Sequence, residues 1–427
     1  GSGSNLFHSF GEFGVPTSHI ANFLNDAALP TANILGRVTG GNPSNIFGTL
    51  QTTGFGSANL FLMNPAGIVF GPTASLNVGG SVSFTTADYL RVTDGTHFNA
   101  LPGPADASIS SAPVAAFGFL GSNPAAITVA GSQLAVSEGQ GISLVGGNLT
   151  VQNGTLGNAT VQPARLSAPA GHINLASVAS PGEVLAAGAL PTEPTLSGFT
   201  SMGTIALTPG AVVSTSGHTA GRIVIRSGQF SMEGATLEAS TTALAPNVPA
   251  SAPATGGISV QAEEMVLSHG SDISTSAIDG TAGNITLEAG TLRSNVALDG
   301  TPLTGASPVT ITSTSTGQGG AGTITITGKT GGPADAVLLS RTHVVTDVTN
   351  AADPTVAPGN IAMAAQQVEL TYGTVISAGT TGGADAGAIT LNLATLKTQA
   401  GPDGRVFISS SSNCGGCRGG QAGDITI

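Results

Sequence analysis

One phrase recurs nine times in the later part of this chain, and it restricts the fold more than any other feature. A small residue and a glycine precede a short alternating run that carries isoleucine. The copies are Ala170-Gly171-His172-Ile173, Met202-Gly203-Thr204-Ile205, Ala220-Gly221-Arg222-Ile223, Thr255-Gly256-Gly257-Ile258 and Ala282-Gly283-Asn284-Ile285. They continue as Ala321-Gly322-Thr323-Ile324, Pro358-Gly359-Asn360-Ile361, Ala386-Gly387-Ala388-Ile389 and Ala422-Gly423-Asp424-Ile425. The isoleucine marks phase. From Ile173 to Ile425 its intervals average about 31 residues and run from 18 to 39. Further strand-like runs lie between markers, such as Met265-Val266-Leu267 and Asp272-Ile273-Ser274-Thr275-Ser276, giving three short strands per unit. Alternation puts Ile and Leu on one face and Thr, Ser or Asn on the other. A three-strand unit cannot bury its apolar face alone, but stacked units can. The pattern predicts an all-β fold, a parallel β-helix forming a single solenoid of about three strands per coil. Each coil should rise by one strand spacing, about 4.8 Å. The glycines fit corners where φ > 0 is often needed, and outward Thr, Ser and Asn can form ladders between coils. A β-sandwich would not repeat one phrase in this way.

Composition removes the competing classes. Gly and Pro make up about one residue in five of 427, only 8% of residues are charged, and mean hydropathy is +0.28. Disordered tails are charged and apolar-poor, and helical bundles contain little glycine. The net charge of −12, with only Lys329 and Lys397 as lysines, argues against nucleic acid and anionic membranes as partners. No apolar run approaches the roughly 18 residues of a membrane span. The sequence stops inside a repeat strand at Ile427, so further coils or a cap are expected beyond it.

Aromatic residues are unevenly spread. Twelve of 15 phenylalanines lie at or before Phe119, which predicts an aromatic core followed by a thinner Ile/Val/Leu/Ala core. The early segment also carries distinctive phrases. They are Asn5-Leu6-Phe7-His8-Ser9-Phe10, Arg37-Val38-Thr39-Gly40-Gly41-Asn42-Pro43-Ser44 and Asn59-Leu60-Phe61-Leu62-Met63-Asn64-Pro65-Ala66-Gly67-Ile68. A second block is Leu144-Val145-Gly146-Gly147-Asn148-Leu149 followed by Leu166-Ser167-Ala168-Pro169-Ala170-Gly171. These resemble the N-terminal secretion domain of the filamentous haemagglutinin family, exoproteins of the two-partner secretion pathway. The family's Asn-Pro-Asn-Gly-Ile hallmark has Ala66 at its third place here. The resemblance covers residues 1–180, with 181–427 read as a β-helix repeat region. It implies a right-handed parallel β-helix, exported unfolded through an outer-membrane β-barrel transporter that captures the N-terminal segment, and folded outside. Low charge and few cysteines suit passage through a pore, and coil-by-coil propagation suits a repeat array.

Candidate sites are few. Asn64, Pro65, Gly67 and Ile68 form a turn entering a strand, with Asn42, Pro43 and Ser44 as a weaker copy. Pro and Gly suit such turns, and the resemblance implies transporter recognition by the same residues. The two readings are compatible. Cys414 and Cys417 have redox spacing without a βαβ context. They have no further zinc ligands nearby and read as a local disulfide in a glycine-rich loop. Glu263 and Glu264, adjacent on a strand, should point to opposite faces and cannot pair as acid and base. His269-Gly270-Ser271-Asp272 has no converging acids around it. Asn-x-Ser/Thr sites such as Asn148-Leu149-Thr150 occur. No nucleophile motif, P-loop or dinucleotide fingerprint is present, so no catalytic residue, metal or cofactor is expected. The sequence thus reads as a secreted or cell-surface structural exoprotein of a Gram-negative bacterium. It would be a long rod acting in adhesion, cell contact or filament and sheath formation, with self-association or a surface glycan or receptor as partner. The alternatives are a β-helical polysaccharide-acting enzyme, or the stalk of a toxin whose active domain lies beyond residue 427.

Overall fold

The computed structural model describes residues 1–103, 110–185, 194–242, 256–278, 280–316, 319–351, 356–401, 404–413 and 420–427. Cys414 and Cys417 lie outside the described residues. Among the described residues the one helical element is the 3-10 turn Lys329–Gly331; strands make the rest of the regular structure. The chain divides into two compact units. One is Gly1–Ala168, His172–Val212 and Val224–Gly228; the other is Pro169–Gly171, Val213–Ile223 and Gln229–Ile427.

Three parallel ladders build the first unit. The first stacks Asn5–Phe10, Asn33–Val38, Asn59–Met63, Val82–Thr85, Gly141–Gly146 and His172–Ser177. The second stacks Ser44–Ile46, Ile68–Phe70, Ile127–Ala130, Leu149–Gln152 and Thr204–Leu207. The third runs through Ile20–Leu24, Thr49–Thr53 and Ser75–Asn77, and through Gln133–Ala135 and Arg165–Ser167. Successive strands of one coil turn a corner into the next ladder, and consecutive coils stack in parallel. This is a parallel β-helix with three strands per coil. Ile34, Leu60, Val82, Ile142 and Ile173 stand in one buried row.

Two excursions leave these coils and meet. Tyr89–Val92, His97–Asn99 and Val114–Phe119 come from the first, Gly182–Leu185 and Thr195–Ser197 from the second. They form one antiparallel five-stranded sheet. Its apolar face, with Leu90, Phe98, Phe117, Phe119 and Val184, packs on Leu35, Met63, Val145 and Ala176, residues on the outward side of the first ladder. That contact explains why Asn33–Val38 is buried at every position: a parallel sheet covered on both faces reads as a continuous apolar run. The early concentration of phenylalanine supplies this second layer. Phe10, Phe13 and Phe23 form a separate cluster with His8, with centroid distances of 5.0 Å for Phe10–Phe13 and 5.4 Å for His8–Phe23.

The second excursion also corrects the phase assigned to Ile205. Ile173 pairs with Ile142 on the first ladder, whereas Ile205 pairs with Leu149 on the second. Successive markers there fall on different faces because the chain between them leaves to build the antiparallel sheet.

In the second unit the marker holds. Ile258, Ile285, Ile324, Ile361, Ile389 and Ile425 are in register one above another. A second ladder runs through Asp272–Ile278, Val309–Thr316, Thr342–Ala351, Val375–Gly382 and Phe407–Asn413. The marker glycines prove to be required for a different reason than left-handed backbone, since Gly256, Gly283, Gly322, Gly359, Gly387 and Gly423 lack positive φ. They form a column in which one coil's backbone lies against the next. A Cβ on Gly387 would stand 1.8 Å from the carbonyl oxygen of Gly359, and one on Gly322 would stand 2.1 Å from that of Gly283.

Hydroxyls turn inward against this column as well as outward. Buried Thr275 donates to the Gly283 carbonyl (2.7 Å), Thr346 to Gly359 (2.7 Å) and Ser410 to Gly387 (2.9 Å). Ser313 donates to Gly283 (3.1 Å) and accepts from the amide of Gly322 (2.8 Å). The backbone at a tight corner has polar groups that lack a ladder partner, and a small hydroxyl satisfies them without widening the core. Glu263 and Glu264 both face outward, contrary to strict alternation. The strand Gly257–Ser268 bends at this point, and the register skips Glu263.

Candidate functional site

The two Asn-Pro segments form one corner. Ser44 pairs with Ile68, so Asn42-Pro43-Ser44 lies against the turn of the following coil. Within that turn, Gly67 N–H donates to the Asn64 carbonyl (3.1 Å) and Ala66 N–H donates to Asn64 Oδ1 (2.9 Å). The side chain thus makes an Asx turn inside the backbone turn, and Pro65 supplies the preset φ of its second position. The Asn64 amide nitrogen donates outside the turn, to the Asn42 carbonyl (3.0 Å) and to Ser44 Oγ (2.9 Å). Asn64 and Ser44 are buried. Gly67 has φ 118° and its carbonyl accepts from Ser44 N–H (3.0 Å). This φ lies in the region that favours glycine. Ile68 is buried and couples the corner onward, its N–H donating to the Ala126 carbonyl (3.2 Å).

Every polar atom of the Asn64 side chain is therefore engaged inside the corner. Asn42 and Pro43 are exposed, and Pro65 and Ala66 are half-buried. Asn42 donates to Glu12 Oε1 (2.9 Å). Ala66 occupies the third hallmark position, and its backbone N–H alone takes part in the turn.

Spacing within each motif did not reveal the next residues of this column. Thr86 Oγ1 donates to the Ala125 carbonyl (2.8 Å), Gly147 N–H donates to the same carbonyl (3.0 Å), and Ser177 Oγ donates to the Gly147 carbonyl (2.7 Å). The legible signal is a small polar residue following the in-register positions Met63, Thr85 and Ala176 in three of the coils: Asn64, Thr86 and Ser177. A second polar column starts the first ladder. Asn33 donates to Asn5 Oδ1 (2.9 Å), Asn59 to Asn33 Oδ1 (3.1 Å), and Ser81 N–H to Asn59 Oδ1 (3.1 Å). Asn5 closes it by donating to the carbonyls of Ser110 (3.1 Å) and Ala112 (2.8 Å), which ties the first excursion to the coil.

Ionisable groups are sparse and committed to structure. Burial pushes the His172 imidazole down to about 4, and its ring lies over Gly141, where a Cβ would meet Nε2 at 1.7 Å. Burial also lowers His8. Across the antiparallel sheet Arg91 grips Glu183, with Nε–Oε1 at 2.9 Å and the terminal nitrogen at 2.8 Å from Oε2. Tyr89 donates to Glu183 Oε1 (2.9 Å). Burial, and then that hydrogen bond, push the Tyr89 phenol up to about 12. The Arg91 hydrogen bond holds Glu183 below the usual carboxylate range. Glu263 is paired with Lys329, and Glu264 with Arg293. His269 sits in a turn with positive φ, and Asp272 accepts from Ser274 (2.7 Å). Among the described residues no group of three or more His, Cys, Asp or Glu side chains gathers at one point. No described helix is long and apolar enough to cross a membrane.

A three-faced parallel β-helix carrying an antiparallel flap and a corner of paired Asn-Pro turns defines a class, the secretion domains of exported β-helical proteins. The family model described as the TPS secretion domain matches residues 1–232, and the chain belongs to this two-partner secretion family. The fold is similar to the crystal structure of the HMW1 secretion domain from Haemophilus influenzae. That match has a TM-score of 0.59 and 15% identity, over 96% of this chain and 95% of that one. No curated protein matches the sequence. The chain is thus a two-partner-secretion exoprotein, a family whose members are exported with an outer-membrane transporter partner.

Proposed function

We propose that the chain is the export and contact-making portion of a non-enzymatic surface exoprotein of a Gram-negative bacterium. Its coils act in adhesion, cell contact or extracellular filament and sheath formation. One observation carries this reading. In the second unit the outward side chains include an uncharged polar row in register, Thr316, Thr349, Thr381 and Asn413. Many weak contacts along such rows add through multivalency. The adjacent acids of the same unit, Glu263 and Glu264, are each paired with a cation, which favours this role over their use in hydrolysis of a polysaccharide.

We further propose that the outer-membrane β-barrel transporter reads the corner through its outer surface, Asn42, Pro43, Pro65 and Ala66, while Asn64, Ser44, Gly67 and Ile68 hold that surface in shape. The test is co-expression with the transporter. Export should depend on the first unit, and removal of residues 257–427 should leave export intact while abolishing attachment of cells to a surface or to one another. Unchanged attachment after that deletion would refute the adhesive reading.

A further inference from the structure

We propose that the outward face of the second unit's Ser/Thr-rich ladder holds a binding site for an amino-sugar polymer with free amines, centred on Asp347. The site deepens the contact-making role proposed above and rests on it. Strands Thr342–Ala351, Val375–Gly382 and Phe407–Asn413 stack in register. Alternation sends Ile376 and Ala378 into the core and leaves Ser377 and Gly379 outside, with Asp347 and Ser411 on either side of Gly379. Within these three strands Asp347 is the only acid and His343 the only basic residue. Four residues along one strand separate the two, about 13 Å, too far for an ion pair.

Two features distinguish Asp347 from a solvated surface acid. The first is that its carboxylate is half-buried and lacks a side-chain partner. Asp272, on the same ladder, accepts from Ser274 (2.7 Å) and from Thr310. Asp347 has the backbone N–H of Val348, and among the described residues no side-chain donor or cation reaches it. Burial pushes its carboxyl up. A desolvated carboxylate gains from a cation that also donates hydrogen bonds. The second feature is a notch. Gly379 lacks positive φ, so its backbone does not demand glycine. A Cβ there would stand 3.1 Å from Asp347 Oδ1. The row Thr314, Asp347, Gly379, Ser411 therefore omits one side chain where the carboxylate leans.

The surrounding groups select the ligand. Ser409 donates to Ser377 Oγ (3.2 Å), one position along the strands from the notch on the same face. Phe407 stands at the far end of that face and is 55% exposed. Two strand spacings and four residues separate it from Asp347, about 16 Å, the reach of a short oligosaccharide. A sugar ring packs its C–H face on Phe407, its hydroxyls exchange hydrogen bonds with Ser409 and Ser411, and an ammonium in the notch donates to Asp347. The net charge of −12 draws a cationic polymer to the chain. An acidic glycan would set like charge against Asp347, and a neutral one would leave the carboxylate without its counter-ion.

The test uses the full secreted chain and a fluorescent glucosamine oligomer, at a pH where its amines are protonated, beside the N-acetylated oligomer of the same length. Anisotropy should show the free-amine oligomer binding about tenfold tighter or more. Asp347→Asn and Gly379→Ser should each remove that difference, and Phe407→Ala should weaken binding. Asp299→Asn, an exposed acid elsewhere in the unit, should change nothing. Urea midpoints should stay at the parent value, because all four side chains face outward. Equal binding of the two oligomers, a difference that survives Asp347→Asn or Gly379→Ser, or unchanged affinity in Phe407→Ala overturns the proposal. So does equal displacement by a lysine peptide in the parent and in Phe407→Ala, which would make the face a site for cationic peptides. Failure here leaves cell attachment by residues 257–427 standing, since the deletion tests that reading separately.

Discussion

Replacing Asn64 with alanine removes one acceptor and two donated hydrogen bonds from a buried corner. The Asn42 carbonyl, Ser44 Oγ and Ala66 N–H each lose their partner in the amide. A made hydrogen bond contributes about 1 kcal/mol net, and a buried group left unsatisfied costs about 1–3 kcal/mol. Ser44 is fully buried, while Ala66 can recover water, so the total should be about 3–5 kcal/mol. That is a large share of the roughly 5–15 kcal/mol that separates a domain from its unfolded state. Asn64→Asp separates the two halves of the side chain. It keeps the acceptor for Ala66 N–H but turns an oxygen toward the Asn42 carbonyl, so it should be no better than alanine. Urea titration of the secreted chain, together with amide exchange at Ala66 and Gly67, reads both. A change under about 0.5 kcal/mol with unaltered exchange at Ala66 would refute the argument that this amide organises the corner. Export then divides the roles. If Asn64 acts by holding the corner, Ser44→Ala should impair export in proportion to its own loss of stability, and Asn42→Ala with Pro65→Ala should impair export with little loss.

Four other outcomes follow from the same geometry. His172 is pushed from an unfolded value near 6.5 to about 4, so the folded state binds fewer protons. Its contribution is complete above pH 6.5 and is lost as pH falls toward 4, about 3 kcal/mol in all, and His172→Gln should flatten that segment of the stability profile. Gly387→Ala should lower the urea midpoint sharply, because its Cβ would meet the Gly359 carbonyl at 1.8 Å; Ala388→Ser, one residue on, serves as the control. The Tyr89 component of an alkaline ultraviolet titration, isolated by difference from Tyr89→Phe, should rise near pH 12 and move to lower pH in Glu183→Gln. A chain ended at residue 180 lacks Gly182–Leu185, the strand paired with Val114–Phe119, and should expose Phe117 and Phe119 to a hydrophobic dye where a chain ended at 232 does not.

Much of the coil architecture is legible in the repeated phrase. The isoleucine of the repeated phrase identified a buried row because a β-strand has period two and a stacked array repeats the same burial in every coil. Where the chain leaves the coil, the local phrase no longer reports the ladder it joins. Ile205 carries the same local phrase as Ile173 but joins another ladder, and nothing in four residues reports that the preceding segment has been diverted into an antiparallel sheet. Glu263 and Glu264 show the same limit, since alternation holds along a straight strand and fails at a bend. At the candidate site the residue types were visible and the partnership was not. Asn64 and Ser44 are twenty residues apart, and only coil length decides that they meet.

The sequence by itself determined the strand period, the stacking mode and the need for small residues at the marker corner, because these follow from local chemistry repeated many times. The tertiary structure decided which glycine is required by φ and which by the carbonyl of the coil beneath. It also decided which hydroxyls turn inward. Those properties depend on what the neighbouring coil places within a few ångströms, and in a solenoid that neighbour is set by how many residues the intervening turns and excursions consume.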